Sequence, residues 1–444
     1  MTTTTLNAPT LDGAGHSAER HALRKAVRAS FMGNFVEWFD YAAYGYLATI
    51  IAATFFPQTD KTSALLATFA VFALSFLVRP LGGVVWGHMG DRYGRRNALS
   101  LSILIMSIST FCIGLLPTYA QIGLWAPCLL LLIRLVQGFS ASGEYAGAAA
   151  FLAEYAPPGR RGLYTSIVPA STAAGLLFGA MFVAVLHELL STEDLHSWGW
   201  RLPFLLAAPF GLVGRYIRMS LQDTPKFLEM EQRLERKTCM APAPIRELMS
   251  QHRRSLAIGL GVTCLNAVAF YLLLSYMPTY LSTEMGMTER DSFIASTVSL
   301  ATYIGLIFLM GRLSDRYGRK TMLVVASLLF LGLTVPLFKL LEGQPLLVIL
   351  AIQILFGAML AMNDGTLPCL LAEIFPTRVR FSGFALSFNL ANALFGGTAP
   401  FIATWLIHVT GNKLAPAGYL LAAALVALVA MLMCRETAHD ALKD

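Results

Sequence analysis

The stretch Gly87-His-Met-Gly-Asp91-Arg92-Tyr-Gly94-Arg95-Arg96 returns 224 residues later as Gly311-Arg-Leu-Ser-Asp315-Arg316-Tyr-Gly318-Arg319-Lys320. A second pair, Leu152-Ala-Glu154-Tyr-Ala-Pro157 and Leu371-Ala-Glu373-Ile-Phe-Pro376, repeats at an offset of 219. Both offsets are close to half of the 444 residues, and both pairs flank long apolar runs. The chain therefore reads as two copies of one unit joined in tandem.

Composition says what that unit is made of. Hydrophobic residues make up 56% and charged residues 13%, with a mean hydropathy of +0.61. Soluble proteins carry about 25% charged residues, and a single soluble core stops growing near ~250–300 residues. These values argue against a water-soluble enzyme, a nucleic-acid-binding module and a disordered chain. Long continuous apolar runs argue against a β-barrel. The six cysteines form no CxxC pair and read as small buried hydrophobes. There is no GxxxxGK(S/T) phosphate loop and no metal-ligand cluster, so no cofactor or metal is expected.

A spanning helix needs ~20 mostly apolar residues. Such runs fall at 30–55, 63–86, 97–117, 123–152, 163–190, 199–219, 254–281, 291–311, 321–340, 346–371, 381–409 and 415–434. The expectation is an all-α membrane protein with twelve transmembrane helices in two six-helix pseudo-repeats. It divides into a tail over 1–29, a first bundle over 30–220, a linker over 221–253, a second bundle over 254–435 and a short tail over 436–444. Within the linker, Lys226 to Lys237 has the pattern of a short amphipathic helix lying on the membrane. No apolar stretch with a cleavage site precedes the first span, so no removable signal peptide is expected. With both termini in the cytoplasm, the inner loops and tails hold 26 Lys and Arg, against 4 in the outer loops. That asymmetry sets the orientation.

An ionisable side chain at mid-bilayer costs at least ~2.5–3.5 kcal/mol on insertion scales unless it is paired or faces a watery cavity. Asn34, Glu37, Tyr41 and Tyr44 recur at three and four in the first span and share one face, with Asp40 flanking it. The stripe is expected to line a central cavity where Glu37 or Asp40 binds a proton; the alternative is a structural pair with a buried arginine. Arg134 lies deep in the fourth span, and its repeat counterpart is Gln353, so the shared scaffold does not require the charge. It reads as a bidentate clamp for a carboxylate, or as the partner of Glu144 or Glu37. Glu144 stands ten residues on, about 15 Å along a straight helix, too far to pair with Arg134 within it. It is a further proton-binding candidate, or a latch between halves. Asp364, beside Asn363 and Gly365, suggests a cavity wall, a helix break or an edge residue near water. It is a candidate for tuning selectivity toward cationic or zwitterionic solutes. Tyr271 and Tyr276, with Tyr280, are candidates for cation–π contact with a quaternary ammonium, or plain packing. Arg79 and Arg201 read as anchors or gate residues at membrane edges.

The repeated decapeptides resemble the loop signature that the major facilitator superfamily carries in each half. GNFVEWFDY (33–41), LVRPLGGVVWGHMGDRYGRR (77–96), RLVQGFSASGEYAGAAAFLAEY (134–155) and WGWRLPF (198–204) resemble the metabolite:proton symporter family within it. IMSISTFCIGLLPTY (105–119), IGLWAPCLLLL (122–132) and YLLLSYMPTYLS (271–282) are similar to that family's bacterial proline/betaine transporters. NALFGGTAP (392–400) and Arg134 are more similar to its citrate and α-ketoglutarate members. Nine residues follow Arg435, without the coiled-coil extension of osmosensory members, so osmotic gating through such a tail is not expected.

The resemblance implies a proton-coupled symporter of the bacterial inner membrane rather than an enzyme. It would import a small carboxylate-bearing metabolite by alternating access: a proline- or betaine-type zwitterion, or alternatively an organic acid. A receptor that binds without transporting is the alternative from another class. The implied partners are a small-molecule substrate, protons and the lipid bilayer, with no nucleic acid, the chain acting as a monomer. The resemblance also implies that Asp91, Arg92, Arg95, Arg96 and Glu154, with Asp315, Arg316, Arg319 and Glu373, form cytoplasmic latches holding the outward-open state.

Overall fold

The computed structural model describes residues 12–57, 61–237 and 244–443. The start of the expected N-terminal tail and the middle of the expected linker lie outside the described residues. The first half is built from six helices. α1 runs Asp12–Tyr46 and resumes as Ala48–Phe55; α2 comprises Lys61–Leu77 and Arg79–Tyr93. α3 is Arg95–Leu115, α4 Trp125–Tyr155, α5 Arg161–Leu189 and α6 Leu202–Met219. The second half repeats them as α7 (Arg253–Thr283), α8 (Glu289–Tyr317), α9 (Arg319–Leu340), α10 (Leu346–Ile374), α11 (Thr377–Thr410) and α12 (Ala415–Met433). Among the described residues, nine of these helices are long and apolar enough to cross a membrane. The other three, α1, α2 and α6, each carry charge within the helix: Glu37 and Asp40, Arg79 and Asp91, Arg215 and Arg218.

The repeated motif is helical almost throughout. α2 and α8 run on through Tyr93 and Tyr317, and α3 and α9 start at Arg95 and Arg319, leaving one residue for each turn. Those residues are Gly94 (φ 99°) and Gly318 (φ 100°), in the region that only glycine enters freely. A Cβ there would also lie 2.2 Å from a carboxylate oxygen, of Asp223 or of Glu436.

Within the first half α1 packs on α5 and α3 on α6; within the second, α7 packs on α11 and α9 on α12. Small residues allow the close approach: a Cβ on Gly175 would meet the Phe35 carbonyl oxygen at 2.6 Å. The halves meet through α2 against α11 and α5 against α8, which are equivalent pairs under the pseudo-two-fold. At the second seam Gly162 and Gly311 face each other backbone to backbone; a Cβ on Gly311 would stand 2.6 Å from the Gly162 oxygen. The largest apolar cluster belongs mainly to the second half but receives Trp38, Tyr41 and Phe76 from the first. The linker forms two helices, Pro225–Lys237 and Pro244–Gln251, the first over the stretch expected to be amphipathic.

Candidate functional site: charge pairs behind two mirrored locks

Five carboxylates are buried in the first half, Glu37, Asp40, Asp91, Glu144 and Glu154, and each meets an arginine. Arg79 Nη2 donates to Glu37 Oε1 (2.7 Å) and to the Tyr41 hydroxyl (2.6 Å). Its guanidinium lies 4.5 Å from the Phe76 ring centre and 5.1 Å from that of Tyr41. One turn on, Arg134 Nη1 donates to Asp40 Oδ2 (2.8 Å) and Gln137 Oε1 (2.6 Å), with its guanidinium 3.7 Å from the Tyr44 ring centre. Gln137 donates to Asp40 Oδ2 (2.7 Å) and Thr110 Oγ1 (2.6 Å). The helical period of α1 explains the arrangement. Glu37 with Tyr41, and Asp40 with Tyr44, are i,i+4 pairs of an acid and a phenol. Each pair receives one arginine, from α2 or from α4.

Pairing offsets the cost of burial, but some donors and acceptors are left over. Arg134 Nε and Nη2, Arg79 Nε, Glu37 Oε2 and Asp40 Oδ1 have no hydrogen-bond partner among the described residues. For Arg134 the two nitrogens form a complete edge of the guanidinium fork, the geometry that reads a carboxylate. Rings from the second half close in beside the Arg79 pair. Tyr271 stands edge-on to Phe76 at 5.8 Å and Phe270 edge-on to Trp38 at 5.3 Å. Here α7 makes a π-helical turn over Tyr271–Tyr276, a local rewinding often found at functional sites.

Several residues are placed differently from the sequence expectation. Asn34 faces α5, donating to the Val168 carbonyl (2.9 Å), Ser171 Oγ (3.0 Å) and Thr172 Oγ1 (2.6 Å), so it cements two helices rather than lining the charge cluster. Arg134 pairs with Asp40, not with Glu144 or Glu37. Glu144 pairs with Arg218, which also donates to the carbonyls of Leu99 (2.9 Å) and Ala29 (3.3 Å). Arg218, counted in the sequence as an inner-loop charge, is buried, because the end of α6 is covered by α1 and α3. Arg79 is no edge anchor: α2 extends well beyond its apolar run, which leaves Arg79 at mid-helix. Arg201 does stay at a helix end, over Trp200 and bonded to the Gly114 and Leu116 carbonyls (2.7 and 3.0 Å). Tyr276 accepts from Thr404 (3.1 Å) and lies beside Tyr280, away from the cluster that Tyr271 joins.

Asp364 is buried, not an edge residue, and it ends the first segment of α10 where the helix breaks at Gly365 and Thr366. Its Oδ1 accepts from the Tyr145 hydroxyl at 3.1 Å, and its Oδ2 from the Tyr303 hydroxyl.

At the motif end two mirrored locks join the halves. Asp91 accepts from the backbone N–H of Phe381 (3.1 Å) and Ser382 (2.8 Å). Asp315 accepts from those of Gly162 (2.8 Å) and Leu163 (3.0 Å), the same positions 219 residues earlier. Each is a carboxylate on a helix N-terminus, where free N–H groups and the helix dipole favour it. Behind them Arg95 holds Asp91 (2.7 Å) and Glu154 (3.0 Å), and Arg319 holds Asp315 (2.8 Å) and Glu373 (3.3 Å). Arg380 reaches across to Glu154 (2.6 Å) and Arg161 to Glu373 (3.3 Å). Asp223 and Glu436 complete the copies by capping α3 and α9: Arg95 N–H to Asp223 is 3.1 Å, Arg319 N–H to Glu436 is 2.7 Å. Burial pushes the Asp223 carboxyl up from its ordinary value, against the pull of its backbone donors and Arg95. The Lys443 carbonyl accepts from Thr377 N–H (3.0 Å) and Arg380 Nη2 (3.0 Å), and the Asp440 carbonyl from Arg161 (2.9 Å). Of the expected latch residues, Arg96 bonds the Leu221 carbonyl (3.0 Å). Arg92 and Arg316 lie over Tyr93 and Tyr317, with no hydrogen bond across the halves among the described residues. Sequence reading missed Arg161, Arg380, Asp223 and Glu436, although Arg161 and Arg380 repeat at the same offset of 219.

Residues 25–242 match the family described as sugar (and other) transporter, and residues 260–443 the major facilitator superfamily. The glycine betaine/proline/ectoine/pipecolic acid transporter OusA of Dickeya dadantii is 40% identical over 429 residues, spanning 95% of this chain and 85% of that one. The chain belongs to the major facilitator superfamily. The proline/betaine transporters of Salmonella typhimurium LT2 and Escherichia coli K12 are each 38% identical to this superfamily member, with the same coverage. Its fold is shared with the proton:xylose symporter XylE bound to 6-bromo-6-deoxy-D-glucose, at a TM-score of 0.78 and 16% identity over 96% of this chain and 98% of that one. FucP in the outward conformation matches at 0.68 and 12% identity, over 92% and 98%. The expected family and twelve-helix fold are borne out: this superfamily member is a multi-pass membrane transporter.

Proposed function

We propose that this transporter imports a small zwitterion of the proline or glycine betaine kind together with protons, across a bacterial inner membrane. In this reading the locked face and both termini are cytoplasmic, and the chain works as a monomer, since both halves of the pathway lie in one polypeptide. The carrying observation is the Nε and Nη2 edge of Arg134, buried and without a partner among the described residues. A substrate carboxylate docks on that edge and competes with Asp40 for the guanidinium. The positive end of the zwitterion lies against Phe76, Tyr271 and Trp38, where cation–π attraction and Glu37 Oε2 favour it.

Charge balance supports a zwitterion over an organic acid. Away from the locks, the three arginines Arg79, Arg134 and Arg218 pair with Glu37, Asp40 and Glu144, and Asp364 is one acid in excess. A di- or tricarboxylate would add two or three more negative charges in a medium that screens poorly; a zwitterion adds none. The names of the relatives point to the same substrate class. Two breakable locks, copied across a pseudo-two-fold, support a carrier that alternates between faces rather than a receptor that only binds. A proton moving down 100 mV supplies about 2.3 kcal/mol for accumulation. In proteoliposomes, an acid exterior should drive uptake of glycine betaine or proline, and a protonophore should abolish it. Uptake indifferent to both, or displaced better by citrate than by betaine, would overturn the reading.

A further inference from the structure

Resting on the proton-coupled reading, we propose that Asp364 is the group that carries the coupled proton. Glu37, Asp40 and Glu144 already have arginine partners. Asp364 is equally buried, yet among the described residues no lysine, arginine or histidine lies within 4.0 Å of it. Its surroundings are polar but uncharged. Tyr145 comes from α4, Tyr303 from α8 and the Asn266 amide from α7. An acid so placed needs a neutralising ligand. Both its oxygens are engaged by phenols, and the Tyr145 ring is stacked on Phe388 at 4.2 Å. A proton is the ligand that enters without displacing any of them.

The location ties that proton to the conformational switch. Tyr145 and Asp364 are 219 residues apart, the offset of the repeat itself, so equivalent positions of the two halves touch on the pseudo-two-fold axis. One of the two oxygens thus takes its hydrogen bond from the opposite half. When the halves part, that donor leaves and Asp364 keeps Tyr303 alone. Gain or loss of the proton therefore accompanies the change of face. The balance is simple: the proton binds the carboxylate from one side, travels as the neutral acid and is released as H⁺ to the other.

The test uses reconstituted full-length protein and glycine betaine. Asp364→Asn should keep substrate counterflow within about twofold of wild type, lose accumulation driven by a pH gradient, and stop proton uptake on substrate addition. Asp364→Glu should restore coupling. Wild-type accumulation by Asp364→Asn, or loss of counterflow in a variant that stays folded, would overturn the inference. Should Asp364→Asn fail to fold, the wild type decides by itself. Dicyclohexylcarbodiimide, which attacks protonated carboxyls in apolar sites, should label Asp364 in a substrate-sensitive way, and absence of label there overturns the assignment. A wild type that takes up betaine without any pH dependence would instead sink the symport reading.

Discussion

Each buried arginine near the middle of the first half answers one acid and one phenol four residues apart on α1, and this arithmetic decides what substitutions do. Removing only the acid strands the cation. Glu37→Gln should lower stability by about 3–5 kcal/mol, the usual cost of breaking a buried pair, read as a fall in thermal unfolding temperature. Removing Arg79 as well, as Met, should recover part of the loss. Arg134→Lys keeps the charge but loses the fork, so betaine binding should weaken about 10- to 100-fold, or 1.4–2.8 kcal/mol. Unchanged affinity would show that Arg134 does not hold the carboxylate. These residues were only partly legible. Glu37, Asp40 and Arg134 announce themselves as charges in apolar runs, but linear order does not say which neighbouring helix supplies the counter-charge. Counting would have helped: Glu37, Asp40 and Glu144, the acids deep in apolar runs of the first bundle, require three cations, and Arg79, Arg134 and Arg218 were present at mid-helix or helix-end positions.

At the scale of the elements, apolar runs locate helices well and their ends poorly. α2 and α8 run seven and six residues past their greasy segments because the motif's polar residues remain helical until the glycine. The break in α10 was legible from Asn363, Asp364 and Gly365, whereas the π-helical turn of α7 was not, since it follows from packing between helices rather than from composition. The single-residue turns give a sharp test. Gly94→Ala forces a left-handed alanine, costing about 1–2 kcal/mol, and drives a methyl into the Asp223 carboxylate that caps α3. The expected outcome is a protein that unfolds at lower temperature. Gly123→Ala, also at positive φ but with open space around it, should lose less. Equal losses would mean that the cap contributes nothing.

The whole molecule is governed by symmetry. The duplication was legible from two short motifs, and the locks follow from it, because a contact made once by the repeat is made twice. Its partners were less visible: Asp91 and Asp315 bond backbone N–H groups, which carry no signature in the side-chain alphabet. Asp91→Asn and Asp315→Asn should each shift the population toward the state open on the motif side, by about tenfold per lock, or 1.4 kcal/mol. The double variant should shift further. Accessibility of a cysteine placed at Ser382 to a water-soluble maleimide reads the change, and equal accessibility in all variants would separate the locks from gating. Gly311→Leu should have a larger effect, because the side chain occupies the seam where two backbones touch.

The carbonyl of Lys443 offers a use of its own. It receives the amide hydrogen of Thr377, at the very start of α11, while the neighbouring Asp440 carbonyl is gripped by Arg161 from the other half. Deuterium uptake at that amide is thus a label-free clock for the tail that Arg161 ties to the other half, slow while the tail is held and fast once it is freed. The same spot warns the protein engineer: an affinity handle fused behind it pulls directly on that contact.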